Sequence, residues 1–323
     1  MTQLVAADIG GTHARFARAR LDARGIPTLG TVHIYKVAQY PGLQACWRAF
    51  LADEGGPAPE RVSIAFATAI GRAVIKLTNS SWVIHPARLA AELDVGAVRL
   101  VNDFEAVAHA VARLPMSDLP LLFGPDEPFP ADGSVTILGP GTGLGVAMIA
   151  FDDSAPHVVA TEGGHVDFAP LDALEGRILD QLRKDLVRVS TERIVSGPGL
   201  NTLYRALAAI SQAPVTLMSD AELWAAALDA SNALARSALE RLCMSYGAVA
   251  GDLALAHGPH HVVLAGGLTQ RMRDFLTGES AFHDRFTAKG RYEALMRTIP
   301  VRLATHPQIG LYGAAAAWRE KKA

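Results

Sequence analysis

Apolar positions along this chain alternate between strand-like and helix-like spacing, and their order predicts an α/β fold. Two short apolar runs, residues 4–9 and 135–138, each break into a glycine turn, Gly10-Gly11-Thr12 and Gly139-Pro140-Gly141-Thr142-Gly143. Each turn is followed by a second β-like run, residues 13–21 and 144–151. Two copies of a strand–glycine turn–strand unit, far apart in one chain, suggest a duplicated fold. Residues 31–37 alternate in the β manner, and residues 62–67, 73–77 and 98–101 read as further strands. Leu43, Cys46, Trp47, Phe50 and Leu51 fall at helical spacing behind Pro41-Gly42, and residues 105–113 read as another helix. Such a mixture predicts an α/β sandwich on a mixed sheet.

Pro120, Pro125, Pro128 and Pro130 make residues 115–133 an expected extended or irregular stretch, and the boundary between two lobes is placed near it. Beyond it the chain is richer in helix. Gly197-Pro198 opens one helix, Ser219-Asp220-Ala221-Glu222 matches a capping box, and residues 233–257 support a long buried helix. Residues 261–265 read as a strand ending in Gly266-Gly267, and residues 311–318 as a small-residue helix able to pack closely. The 323 residues are half hydrophobic with a formal charge of −2. That length favours two domains, and the balanced charge argues against nucleic acid or an anionic membrane as partner. No apolar stretch reaches a membrane span. Cys46 and Cys243 allow neither a disulfide framework nor a cysteine zinc site, which fits a cytoplasmic protein without a signal peptide.

Glycine lets backbone approach a phosphate with its N–H groups free, and a threonine hydroxyl adds a donor. Only the first turn carries a carboxylate, Asp8, suited to a hydrated magnesium ion. Neither the dinucleotide fingerprint nor the G-x-x-x-x-G-K-[ST] loop is present, so the expected phosphate loops are hairpins. Asn102-Asp103 follows a predicted strand and opens a helix. It reads as an N-cap, as an aspartate facing a ligand at a strand's C-terminal end, or as both, with Asn102 or Asp103 capping while the other faces a cleft. Glu162-Gly163-Gly164-His165 reads as a loop bringing carboxylate and imidazole together, or as a solvated turn; one Glu and one His do not make a zinc site. Glu192, judged on its neighbours alone, reads as a surface residue.

In their order, these segments resemble the ATP-dependent glucokinase family of bacteria, within the hexokinase–actin–heat-shock ATPase superfamily. The matching runs include Asp8-Ile9-Gly10-Gly11-Thr12, Leu77-Thr78-Asn79-Ser80, Asn102-Asp103-Phe104-Glu105 and Gly139-Pro140-Gly141-Thr142-Gly143. Glu162-Gly163-Gly164-His165-Val166-Asp167, Glu192-Arg193-Ile194-Val195-Ser196-Gly197 and Ala265-Gly266-Gly267 complete them. The resemblance implies an α/β, two-lobed actin-like ATPase fold with duplicated ribonuclease-H-like domains and a cleft between them. The lobes would be residues 1–113 plus 307–323, and residues 114–306. The implied reaction is phosphorylation of D-glucose at the 6-hydroxyl by ATP, giving glucose 6-phosphate and ADP, with Asp103 as general base. Asn79, Asn102, Asp103, Glu162, His165 and Glu192 would bind the sugar. Asp8, Gly10, Gly11, Thr12, Gly141, Thr142, Gly143, Gly266 and Gly267 would hold ATP, and Asp8 the magnesium (Mg2+) through water. A homodimer is expected. Other readings are a kinase for another hexose or amino sugar, and a silent sugar-binding sensor; retention of Asp8, Asp103 and both turns disfavours the sensor. Ala69 and Pro140 depart from the family pattern, and the zinc segment of the repressor–kinase (ROK) branch is absent.

Overall fold

Strands β1 (Thr2–Ile9), β2 (His13–Leu21), β3 (Pro27–Leu29) and β4 (His33–Lys36) open the chain, ahead of helix α1 (Leu43–Glu54). Then come β5 (Arg61–Phe66), the small pair β6 (Ile75–Lys76) and β7 (Val83–Ile84), helix α2 (Leu89–Leu93), β8 (Ala97–Asn102) and helix α3 (Asp103–Val111). This computed structural model describes residues 2–68, 70–71, 73–77, 80–152, 156–258 and 260–318. The main sheet runs β3-β2-β1-β5-β8, with β4 also on β2. Its first three strands are antiparallel and β1, β5 and β8 are parallel.

Burial on both faces explains why β1 is an unbroken apolar run rather than an alternating one. Val5, Ala7 and Ile9 pack with Phe16, Trp47 and Phe50, whereas Leu4 and Ala6 pack with Leu311, Ala314 and Ala315. Those last residues belong to the C-terminal helix, Ile309–Ala316, which returns to this unit. Its small residues allow close approach: a Cβ on Gly313 would overlap the carbonyl of Ala106 in α3. One compact unit thus holds the chain up to Pro115 together with the residues from His306 onward.

The second unit, Met116–Thr305, repeats the arrangement. Its elements are β9 (Leu121–Phe123), β10 (Gly133–Pro140), β11 (Leu144–Phe151), β12 (His157–Thr161), α4 (Ala173–Leu182), α5 (Gly199–Ser211), α6 (Asp220–Leu228) and α7 (Ala233–His257). Next come β13 (His261–Leu264), α8 (Gly267–Arg271), α9 (Arg273–Leu276), α10 (Ala281–Thr287), α11 (Glu293–Met296) and β14 (Val301–Leu303). The sheet order is β12-β11-β10-β13-β14-β9. Again three antiparallel strands lead into a parallel trio, β10, β13 and β14. The duplicated strand–glycine turn–strand units are therefore the first hairpins of two sheets with the same strand order.

One expectation is sharpened and one changes. In the proline-rich stretch, expected to be extended or irregular, residues 121–123 form β9 antiparallel to β14, with Leu122 buried. Proline punctuates that stretch but leaves this tripeptide free to pair. The run 73–77 yields only the two-residue β6, because it pairs with β7 outside the main sheet.

Candidate functional site

In the first unit the C-terminal ends of the parallel strands carry the candidate residues. Asp8 pairs in register with Ala65, and Phe66 with Asn102. Asn102 takes the capping role in full. Its Oδ1 accepts from the N–H groups of Phe104 (2.8 Å) and Glu105 (3.3 Å), and the Glu105 carboxylate accepts from the Asn102 N–H. Its Nδ2 donates to the Thr68 carbonyl at 3.2 Å, tying the start of α3 to the segment after β5.

Asp103 is therefore spared the capping duty. Its Oδ1 accepts from the Phe104 N–H at 2.9 Å, and a helix N-terminus favours its charge. Burial outweighs this and, with the Asp8 carboxylate adding to it, pushes the Asp103 carboxyl up to about 6. Asp8 is also raised by burial, against the opposing pull of the Arg15 guanidinium 3.3 Å away. Two carboxyls of raised pKa at the C-terminal edge of one parallel sheet, on β1 and after β8, are the kind of pairing that active sites use.

The Asp8 carboxylate has a seat that no sequence motif announced. A Cβ on Gly310, in the first turn of the C-terminal helix, would stand 2.9 Å from Asp8 Oδ2 and 3.0 Å from its Cγ. The Gly10-Gly11-Thr12 turn is closed by the Gly10 N–H donating to His13 O at 3.0 Å, while Val37 N–H donates to Thr12 O at 2.9 Å, leaving the threonine side chain at the surface. Asn79 and Ala69 lie outside the described residues.

In the second unit, residues 141–143 form the turn between β10 and β11, stapled by Gly141 N–H to Gly143 O at 2.8 Å. Gly266 adopts φ +95°, a left-handed value that favours glycine, and its Cβ position lies 3.4 Å from Pro140 O. Gly267 opens α8. Gly141, Thr142 and Gly143 are thus brought together with Gly266 and Gly267.

Glu162 and His165 bound the short helical turn Gly163–His165, with Oε2 and Nε2 3.9 Å apart and both side chains more than half exposed. The turn is fixed from beneath: a Cβ on Gly164 would overlap the Leu144 carbonyl. Glu192 is not the free surface residue that its neighbours suggest. Its Oε2 accepts from the Leu144 N–H at 2.9 Å. Leu144 therefore holds Glu192 on its N–H side and the Glu162–His165 turn on its carbonyl side. Thr191 N–H adds a bond of 2.8 Å to Val166 O. Leu144 has no polar side chain, and the sequence offers no signal of this role.

Among the described residues no group of three or more His, Cys, Asp or Glu side chains converges as a metal cage. Asp8, a single carboxylate already facing Arg15, fits a hydrated magnesium ion only where most of the ion's ligands come from water or a bound phosphate. Among the described residues no helix is long and apolar enough to cross a membrane.

A family model described as Glucokinase matches residues 5–321. The glucokinase of Zymomonas mobilis is 50% identical over 319 residues, covering 99% of this chain and 98% of that relative. The crystal structure of a glucokinase from an Antarctic psychrotroph matches with a TM-score of 0.85 and 31% identity over 98% of each chain. A glucokinase from Balamuthia mandrillaris, solved in complex with glucose, shares the fold with a TM-score of 0.76 at 20% identity, covering 97% of this chain and 92% of that one.

Proposed function

This chain belongs to the glucokinase family, and on that premise we propose how its residues carry out the ATP-dependent phosphorylation of glucose. Asp103 is the general base. It accepts the proton of the sugar's 6-hydroxyl as that oxygen attacks the γ-phosphorus of ATP; the new O–P bond forms while the bond to the ADP oxygen breaks. The observation that carries this assignment is the Asp103 carboxyl itself, raised by burial to about 6 and not used as the cap of α3, which Asn102 provides. A base with a pKa near the working pH is both largely ionised and able to take a proton.

Phosphoryl transfer asks the protein mainly for position and charge neutralisation. The glycine turns with Thr12 and Thr142 supply N–H and hydroxyl donors to the phosphates, and Gly266-Gly267 leaves room for the nucleoside. Asp8 would hold the magnesium ion of Mg-ATP through water, and the ion would supply charge neutralisation for the phosphates. Glu162, His165 and Glu192 bind sugar hydroxyls, together with Asn79. Asn102 binds the sugar as well, beside its cap on α3 and its bond to the Thr68 carbonyl. Carboxylates of this kind penalise sugars that leave them unpaired. Operation as a cytoplasmic homodimer belongs to the same reading; both cysteines are buried free thiols, as a reducing compartment allows.

The test couples ADP release to a panel of hexoses and amino sugars, for the parent and for Glu162→Gln. Glucose should give the highest kcat/KM, and the variant should raise KM for glucose about 10-fold, the loss of part of a charged hydrogen bond. A higher kcat/KM for mannose or an amino sugar would overturn the substrate, and an unchanged KM the role of Glu162.

A further inference from the structure

We infer that Gly143 is a positioning residue for the sugar: it is glycine to seat the Glu192 carboxylate, and so couples the second phosphate turn to sugar recognition. The inference rests on Glu192 as a sugar ligand. Gly143 does not adopt the left-handed backbone that would call for glycine. The turn's own geometry therefore accepts alanine. What excludes a side chain is Glu192. A Cβ on Gly143 would overlap Oε2 and stand 2.9 Å from the carboxyl carbon. Gly141, in the same turn, gives the contrast, because a methyl there would meet nothing within 4 Å.

The carboxylate is drawn into this position by the Leu144 N–H, which leaves Oε1 for a sugar hydroxyl. The same segment grips the turn a second time, since Gly197 N–H donates to Gly141 O at 2.8 Å. Residues 192–197 thus clasp the phosphate turn at both ends, with one atom of the clasp also facing the sugar. A side chain at 143 pushes the carboxylate off Leu144 and moves both of its oxygens. Damage at a residue of the phosphate turn then appears as a loss of sugar affinity, even with no nucleotide present.

Calorimetric titration of glucose without nucleotide tests this on the full chain, with Gly143→Ala, Glu192→Ala and the double variant. Glu192→Ala is expected to weaken glucose about 10- to 100-fold, the range of a charged hydrogen bond. Gly143→Ala should lose affinity by a similar factor. The double variant should bind within about 2-fold of Glu192→Ala, because the methyl no longer meets a carboxylate; such non-additivity marks direct coupling. Glucose affinity of Gly143→Ala within about 2-fold of the parent, or additive losses, would overturn the inference while leaving Glu192 a sugar ligand. Normal affinity in Glu192→Ala would instead remove the assignment on which it rests. Thermal melting reads the same overlap if Gly143→Ala folds poorly. The double variant should then melt above Gly143→Ala, and a double variant melting no higher would refute the overlap.

Discussion

Replacing Asp103 with Asn should abolish most turnover and yet make the protein more stable at neutral and alkaline pH. Burial raises the carboxyl from 3.8 to about 6, a value already net of the Phe104 N–H that favours the ionised form. The folded state therefore holds this proton more tightly than the unfolded chain, and ionising Asp103 opposes folding. The opposition is complete well above pH 6 and is relieved as the pH falls from 6 toward 4. A difference of roughly 2 units corresponds to about 3 kcal/mol. Asn has no charge to desolvate, and the Asn102 cap and Glu105 are untouched. Asp103→Asn should then exceed the parent by up to about 3 kcal/mol at pH 8 and by about half of that at pH 5, where the parent is mostly protonated.

Urea unfolding of both proteins at the two pH values measures this difference. Kinetics supplies the other half. The parent's kcat/KM should fall below pH 6, reaching about one-tenth of its plateau at pH 5, while Asp103→Asn should be about 10²- to 10⁴-fold slower. A variant less stable than the parent at pH 8, a stability gap that ignores pH, or a parent profile flat from pH 5 to 7 would refute the reasoning.

Asp8→Asn should impair use of Mg-ATP with glucose binding by calorimetry retained, and should move the acidic limb of kcat/KM to lower pH by removing the charge that helps raise Asp103. Gly310→Ala should raise KM for ATP by displacing the Asp8 carboxylate, with little loss of thermal stability, because the methyl meets only that carboxyl and no backbone. Gly313→Ala, one turn along the same helix, should lower the melting temperature instead: its methyl meets the Ala106 backbone, and such overpacking costs about 1–3 kcal/mol.

The elements were legible where one local signal decided them. The runs 13–21 and 144–151 became β2 and β11 with those bounds, and the helix over 233–257 matches α7, since strand alternation and helical spacing are properties of neighbouring residues. A cap at Asn102-Asp103, though not which of the two provides it, and the box at Ser219 were legible for the same reason. β9 was legible only as part of an extended or irregular stretch, because its identity as a strand depends on its partner β14, far along the chain. Glu192 shows the limit for the site. The residues on either side of it describe a surface turn, and what binds its carboxylate is a backbone N–H 48 residues away. Contacts to main chain leave no mark on the partner's side chain, so Leu144 carries no sign of its part.

The glycines make the same point from the other direction. A glycine in a motif is commonly explained by the conformation it permits, and Gly266 at φ +95° fits that account. Gly143 and Gly310 do not, for neither has a left-handed φ, and Gly310 lies within a helix, where glycine is unfavourable. Each instead faces a carboxylate, Glu192 in one unit and Asp8 in the other. The cost of glycine in the C-terminal helix is explained if Asp8 must stand where a methyl would be. A carboxylate seated against glycine also keeps its oxygens clear of a methyl screen, open to water, metal or a hydroxyl. By this logic a methyl at either position acts on the function of the opposing carboxylate before it acts on the fold, in contrast to Gly313, whose neighbour is backbone and cannot step aside.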